Sequence, residues 1–393
     1  MTDQARRPSM SRRDWLLLPG LALTTVLGIL VFSEAVARHI FPPQREILAS
    51  CFVFNDPVHG VHARPDCSFI ENDSESGKTI YQFDDFGYRN SPGLLRDSVN
   101  SYRIVMIGSS IVMGDHVSYK AASAVLLPPM IAVKSERSIS LYNEGLIFGY
   151  TRNTDLRFGD ALRASPNMIL WMLTSSDISN SKIVNPATTA VGWKRRSPWS
   201  KLVAAIHIYF GEESFGRAAY NFVDSTRTAF AFRYYAYRSP TLYLKSYLSQ
   251  VDHELGFLKT AMSPEWEGDL RETETDIADV SHKAHAAHVP LVIVYVPNHA
   301  QAEMVAMGEW PSGYDPYALD ERLREMAQAD GDTYLDILPE YRNVPIAEIQ
   351  RDYLPVDGHP NAGGHALIAR LIAEQLTSGA VPELASRNST KIP

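Results

Sequence analysis

The sequence predicts an α/β protein: a three-layer α/β/α sandwich on a parallel five-stranded sheet, with a mainly helical aromatic-rich insertion and an N-terminal transmembrane helix. Three observations predict it. Short apolar, partly β-branched runs alternate with longer helical patterns, as strands buried on both faces alternate with the helices that cover them. An uncharged stretch, Trp15–Phe32, is long enough to cross a bilayer. One interval, about 179–263, breaks the alternation with a crowd of aromatics and no clear strand.

Taken in order, Arg6, Arg7, Arg12 and Arg13 precede WLLLPGLALTTVLGILVF, and Glu34 follows it. Basic residues before the run favour an N-terminus inside and the rest of the chain outside. Pro19 is no veto, since membrane helices tolerate proline. Two readings of this segment stay open. It is either a retained anchor or, because SRRDWLL resembles a twin-arginine export signal, a leader cleaved at Ala35-Val36-Ala37. A buried helix of a soluble protein is the third alternative. Both leading readings put the bulk of the chain outside the cytoplasm, on the periplasmic side of a single-pass inner membrane. The domain plan that follows is a stub and anchor (1–37), an extracytoplasmic lead-in (38–101), a main domain (102–378) with an insertion at about 179–263, and a tail (379–393).

The lead-in is rich in Asp, Asn, Pro and Gly, with a short candidate strand at Thr79–Phe83. It holds the only two cysteines, Cys51 and Cys67, which pair if the compartment is oxidising and otherwise remain thiols. With no CxxC and no Cys/His cluster, structural zinc is not expected. In the main domain the candidate strands are Arg103–Ile107, Ile139–Asn143, Met168–Leu173, Pro290–Val296 and Thr333–Ile337. Helical pattern is clear at Asp269–Ala287 and Ala318–Ala329, and again after His359. The aromatic interval contains HIYFGEESFGRAAYNF and AFAFRYYAYRSPTLYLKSYL, and its charges exclude a second membrane span. It forms either a small core of its own or a platform over a site.

Overall, 393 residues, 45% hydrophobic and 21% charged, are enough for a large globular core. A net charge of −8 argues against a nucleic-acid partner. Chemistry is suggested at two places. The first is RIVMIGSSIVMG, Arg103–Gly114, where two serines follow a buried-strand pattern between glycines. Either a serine caps a helix there, or a nucleophile stands at the carboxyl end of a parallel strand. The second is YLPVDGHPNAGGH, where Asp357 and His359 share a Gly/Pro loop ahead of an amphipathic helix. A serine nucleophile needs a base, and the base needs an orienting carboxylate.

The combined order Ser…Asp…His on a parallel sheet resembles the SGNH, or GDSL-like, hydrolases, over roughly Arg103–Leu376. Their GDSxxxG block reads here Gly108-Ser109-Ser110-Ile111-Val112-Met113-Gly114, which makes Ser110 the nucleophile and puts Ser109 where Asp is usual. Val112 stands where the GxSxG elbow of other hydrolases needs glycine. The resemblance implies an oxyanion hole of the Ser110 backbone, Gly149 in NEGLIFGYT (with Gly145 as runner-up) and Ser176, on the family's asparagine position in Leu173–Asp177. The last block is DxH rather than DxxH, with Val356 on the usual Asp position, a spacing also found in SGNH-like proteins of alginate O-acetylation. The membrane segment and the FGYRN that ends the lead-in also look like anchored, exported members.

What the resemblance implies is a Ser110–His359–Asp357 esterase or O-acyltransferase acting outside the cytoplasm on acyl esters, acetyl esters foremost. The substrate would be an acylated carbohydrate of a surface glycan or a small ester, with polysaccharide-export or modification proteins as partners. The alternative is a catalytically weak domain that binds glycan or scaffolds an export complex. No cofactor is expected, because Gly108 and Gly114 make no GxGxxG loop. No metal is expected either: His282, His285 and His288 read as one helix face, and Asp357, His359 and His365 lack a completing carboxylate pair.

Overall fold

The computed structural model describes residues 14–42, 51–56, 58–90, 101–180, 225–249 and 255–386. They fall into two units. The first comprises α1, Asp14–Ile40, and the start of a helix at Arg227–Ala236. α1 is long and apolar enough to cross a membrane and runs unbroken through Ala35–Ala37. Its large side chains are exposed along its length, Trp15 by 69% and Phe32 by 71%. Thr24 and Thr25 return their hydroxyls to carbonyls of the preceding turn, which pairs both hydroxyls within the apolar stretch. Near its end, Glu34 accepts the N–H groups of Arg227 and Thr228, and Phe41 meets Phe230 edge-on at 5.4 Å. The four N-terminal arginines and HIYFGEESFGRAAYNF lie outside the described residues.

The second unit opens with two antiparallel hairpins, β1 (Phe52–Asp56) with β2 (Gly60–Ala63), and β3 (Ser68–Asp73) with β4 (Gly77–Gln82). Cys51 and Cys67 are joined by a disulfide, with Cα atoms 5.7 Å apart. The strand expected at Thr79–Phe83 is therefore the second arm of a hairpin. Phe52, Phe69, Tyr81 and Phe83 form a small core that also takes in Met113 and Leu146 of the main domain.

The main domain follows in chain order: β5 (Tyr102–Gly108), α2 (Ser110–Met113), α3 (Ser123–Ser135), β6 (Ile139–Asn143), α4 (Thr151–Ala161), β7 (Met168–Leu173) and α5 (Ser175–Ser179). After α6 (Arg227–Ala236) and α7 (Pro240–Tyr247) come α8 (Pro264–Ala286), β8 (Leu291–Tyr295), α9 (His299–Met307), α10 (Ala318–Ala329), β9 (Thr333–Leu335), α11 (Ile346–Asp352) and α12 (Ala362–Gln375). The five strands form one parallel sheet in the order β6-β5-β7-β8-β9. Every residue of β7 and β8 is buried, as a sheet covered on both faces requires. The cover comes from α3 packed on α12, and from α4 and α10 packed on α8.

Element ends follow local chemistry. β8 is flanked by Pro290 and Val296, which still join the ladder through one carbonyl and one N–H to β7. β9, at the sheet edge, pairs over only three residues. α8 starts five residues before the expected Asp269, because Ser263 caps it by accepting the Trp266 N–H and Pro264 occupies its first turn. The described part of the insertion is helical, and Tyr243 and Leu244 of α7 join the principal core rather than a separate one.

β5 lies between β6 and β7, so its carboxyl end is where the strand order reverses, the position at which open α/β sheets leave a crevice. Gly108 closes the strand with φ 144°, and a Cβ there would collide with the Met172 carbonyl of β7 at 2.5 Å. Only glycine lets the chain turn sharply enough to present residues 109 and 110.

Candidate active site

Ser110 opens α2 at that crevice, and its Oγ lies 2.8 Å from Nε2 of His359. Nδ1 of the same ring lies 2.5 Å from Oδ1 of Asp357. The loop carrying both turns at Gly358 (φ 86°) and is closed by hydrogen bonds of Leu354 N–H to the His359 carbonyl and Gly358 N–H to the Leu354 carbonyl. Oδ1 of Asp357 also accepts the His359 backbone N–H, so one carboxylate oxygen fixes both ring and main chain. The imidazole side chain is 28% exposed and the carboxylate 33%, leaving the site open to a ligand.

The electrostatics follow from this contact. Burial works against a charged imidazole, but the Asp357 carboxylate and its hydrogen bond outweigh it, with Asp115 and Glu71 adding, and push His359 up to about 9. Burial likewise opposes an ionised Asp357, yet the His359 charge and hydrogen bond, with His116 beyond, hold it well below the usual carboxylate range. As an imidazolium His359 offers hydrogen on both nitrogens; once Nε2 loses its proton it accepts from Ser110.

Neither serine of the pair caps a helix. Ser109 stands at the N-cap position of α2 but makes no capping bond. Its hydroxyl favours the charge on the buried carboxylate of Asp177, which accepts the N–H and hydroxyl of Thr174 in a capping box at the start of α5. Burial nevertheless raises Asp177 to about 6. α2 is a single turn ended by Gly114 in the left-handed region, so the helix expected after Ser110 is too short to bring much dipole to the site.

The residues expected around the oxyanion are arranged unequally. The Ser110 N–H has no acceptor among the described residues and lies beside its own Oγ. The Gly149 N–H donates to the Leu146 carbonyl at 2.9 Å, closing a turn, and would have to leave that bond to serve an oxyanion. Gly149 is glycine for packing, since a Cβ there would overlap the Gly108 carbonyl. Gly145, the runner-up, donates to Asn143 Oδ1 and packs as closely on Val112 and Met113. Ser176 lies exposed in the first turn of α5.

Sequence reasoning missed a second layer of groups, because it depends on contacts between residues from 10 to 282 positions apart. His116 follows α2 with a left-handed backbone (φ 61°), its N–H donating to the Tyr81 hydroxyl at 3.0 Å and to Asp115 Oδ1 at 3.1 Å. Its ring meets that of His359 edge-on at 5.3 Å. Tyr81 in turn bonds Asp115 and Glu71, and burial raises Glu71. Arg89, fully buried in FGYRN, stacks on Tyr81 and donates to the carbonyls of Met113, Gly114 and Val117, holding the loop that carries His116. Glu75, at the tip of the β3–β4 hairpin, accepts the N–H groups of Val356 and Asp357 at 2.9 and 2.8 Å.

Donor atoms of His116, Asp357 and His359, and of Glu71, Asp115 and His116, are close enough together to hold a cation. The imidazolium of His359 and the Arg89 guanidinium already set positive charge beside these carboxylates, so a dication fits poorly. Of His282, His285 and His288, the first two share a face of α8, which ends at Ala286 before the third, and His285 pairs with Asp332. His365 accepts the Ser123 N–H, and burial, with the Arg89 and His359 charges, lowers it to about 3, a neutral core histidine. A cavity of about 620 Å³ adjoins the loop, lined by Glu75, His116, Tyr234, Arg238, Tyr353 and Asn361 among others; neither Ser110 nor His359 lines it.

No family model and no curated protein matches the chain. Among solved structures it is similar to LAE5, an alpha/beta hydrolase from the metagenome of Lake Arreo, with 14% identity, 73% of this chain and 98% of that one covered, and a TM-score of 0.38. It is also similar to Axe2, an acetylxylan esterase from Geobacillus stearothermophilus (12% identity, 71% and 96% covered, TM-score 0.38). TesA is a third (10% identity, 72% and 99% covered, TM-score 0.37). At these scores the likeness carries no chemistry to this chain, whose reading rests on its own residues.

Proposed function

We propose that the chain is a serine ester hydrolase or O-acyltransferase of SGNH type, held at the membrane by α1 and acting outside the cytoplasm on acyl esters of a surface glycan. One observation carries it: the continuous contact from Ser110 Oγ through His359 to Asp357 at the carboxyl end of β5. The Cys51–Cys67 disulfide supports an oxidising compartment, and the exposed apolar surface of α1 supports an anchor.

In this reading Ser110 Oγ attacks the ester carbonyl while neutral His359 takes its proton on Nε2. Asp357 holds the ring and stabilises the imidazolium. The oxyanion forms beside the Ser110 N–H, with Gly149 and Ser176 as the further donors in play. His359 then returns the proton to the departing alcohol. Water or a sugar hydroxyl, deprotonated by the same Nε2, takes the acyl group from Ser110 and regenerates the free hydroxyl.

One observation favours the other reading, a weak glycan-binding domain: the Gly149 N–H is already bonded to Leu146. The same experiment separates the two. A fluorophosphonate should label the intact protein on Ser110, and p-nitrophenyl acetate turnover should be lost in Ser110→Ala and His359→Ala. Equal turnover in wild type and Ser110→Ala, with no label, leaves the binding domain. An added oligosaccharide that gains the acyl group in competition with water makes the enzyme a transferase.

A further inference from the structure

Asp357 stands between two imidazoles. Oδ1 meets Nδ1 of His359, and Oδ2 lies 3.6 Å from Nε2 of His116. The same Nε2 is 3.6 Å from Oδ2 of Asp115, so the second ring bridges two carboxylates. We propose that His116 is a positioning residue of this site, a buried imidazole that grips the far oxygen of Asp357 and keeps the near one on His359.

Three features argue that the ring is built in rather than filling space. Its side chain is only 5% exposed, and its Nδ1 is buried with no hydrogen-bond partner among the described residues, 3.9 Å from Glu71. Its backbone adopts φ 61°, sparsely populated for a residue with a side chain, and is held there by the Tyr81 hydroxyl and Asp115. Its loop is fastened by three carbonyl bonds to Arg89. The groups facing it are Asp115 from its own loop, Asp357 and His359 from the loop before α12, and Glu71 with Tyr81 from the hairpin. Burial opposes its charge, His359 opposes it further, and the carboxylates of Asp115, Asp357 and Glu71 prevail and raise it.

The consequence is specific. A positive His116 draws on the same carboxylate that stabilises His359⁺ and repels that cation, so it makes His359 easier to deprotonate. The role rests on the ester-hydrolase reading for the reaction it serves, but the charge coupling does not. The test is a pH titration of the ring nitrogens by long-range ¹H–¹⁵N NMR on the full chain, wild type against His116→Gln. The His359 inflection should rise by about one unit in His116→Gln, and the ascending limb of kcat/KM should move with it while KM holds. A folded His116→Gln whose His359 titrates as in wild type overturns the proposal, whether or not the protein hydrolyses esters. If the variant fails to fold, wild type decides. Coupled rings give His359 a two-step curve with one step at the His116 inflection, and a single-step curve overturns the proposal. Loss of Ser110 labelling with the two-step curve intact would remove the esterase reading and leave the coupling.

Discussion

The Ser109 hydroxyl, at the carboxyl end of β5, favours the ionised form of the buried Asp177 carboxylate, which belongs to α5. A carboxylate next to residue 109 is thus present here, but it comes from α5 instead of from position 109. Ser109→Asp would set two carboxylates against each other without water, and breaking such a buried arrangement costs about 3–5 kcal/mol. Urea unfolding should show a loss of that size, with most of it restored in Ser109→Asp/Asp177→Asn. A single variant as stable as wild type would refute the pairing.

His359 is held at about 9, so at neutral pH the base carries its proton. kcat/KM for an activated ester should rise with pH and level off only above about 9. Asp357→Asn removes the charge that raises it, so the rise should shift to lower pH while the plateau drops by roughly 10³–10⁴. The pH–rate profile of both proteins checks this, and a wild-type rise complete below pH 7 contradicts it. The sign for stability is the same: a raised base stabilises the fold below its ordinary value of 6.5 and loses that contribution as pH passes 9.

Glu75 fastens the loop that carries Asp357. Glu75→Ala leaves two N–H groups without acceptors and lets the loop drift, which should lower kcat/KM about 10²-fold with KM little changed. Burial, against those two hydrogen bonds, raises Glu75 to about 7. Its stabilising contribution is therefore full below 4.5 and fades as pH rises through 7. Chemical unfolding should show that the alanine variant loses more stability at pH 5 than at pH 8.

The Cys51–Cys67 bridge closes a 16-residue separation. Reducing it, or replacing both cysteines by serine, should lower stability by about 3 kcal/mol. The shift in denaturation midpoint with and without reductant reads this directly.

α1 should keep the full chain in the membrane fraction through alkaline carbonate extraction. A chain starting after Phe41 should remain in the supernatant.

Much of the frame was legible in the sequence because it is local. The buried strands announce themselves as continuous apolar runs, and β6 and β7 begin and end where those runs do. Ser110 was legible as a serine at a strand end, and Asp357 and His359 as residue types in a Gly/Pro loop before a helix. The second layer was not. His116 looks like any polar residue in the turn after Gly114-Asp115, and its surroundings come from Tyr81, Glu71 and Asp357, each brought by a different element. The Gly149 bond to Leu146 was equally hidden, since glycine in a loop does not say where its N–H points. The lead-in read as sparse and irregular because its strands run only four to six residues and are staked by a disulfide and aromatic stacking.

The two hairpins ahead of the sheet also redraw the smallest fragment worth excising. A fragment begun at Tyr102 would keep Ser110, His359 and Asp357. It would discard Glu75, Tyr81, Glu71 and Arg89, all the braces contributed by the first ninety residues. A self-sufficient fragment must begin no later than Cys51, so inactivity of a shorter one would report a missing buttress and not a missing catalyst.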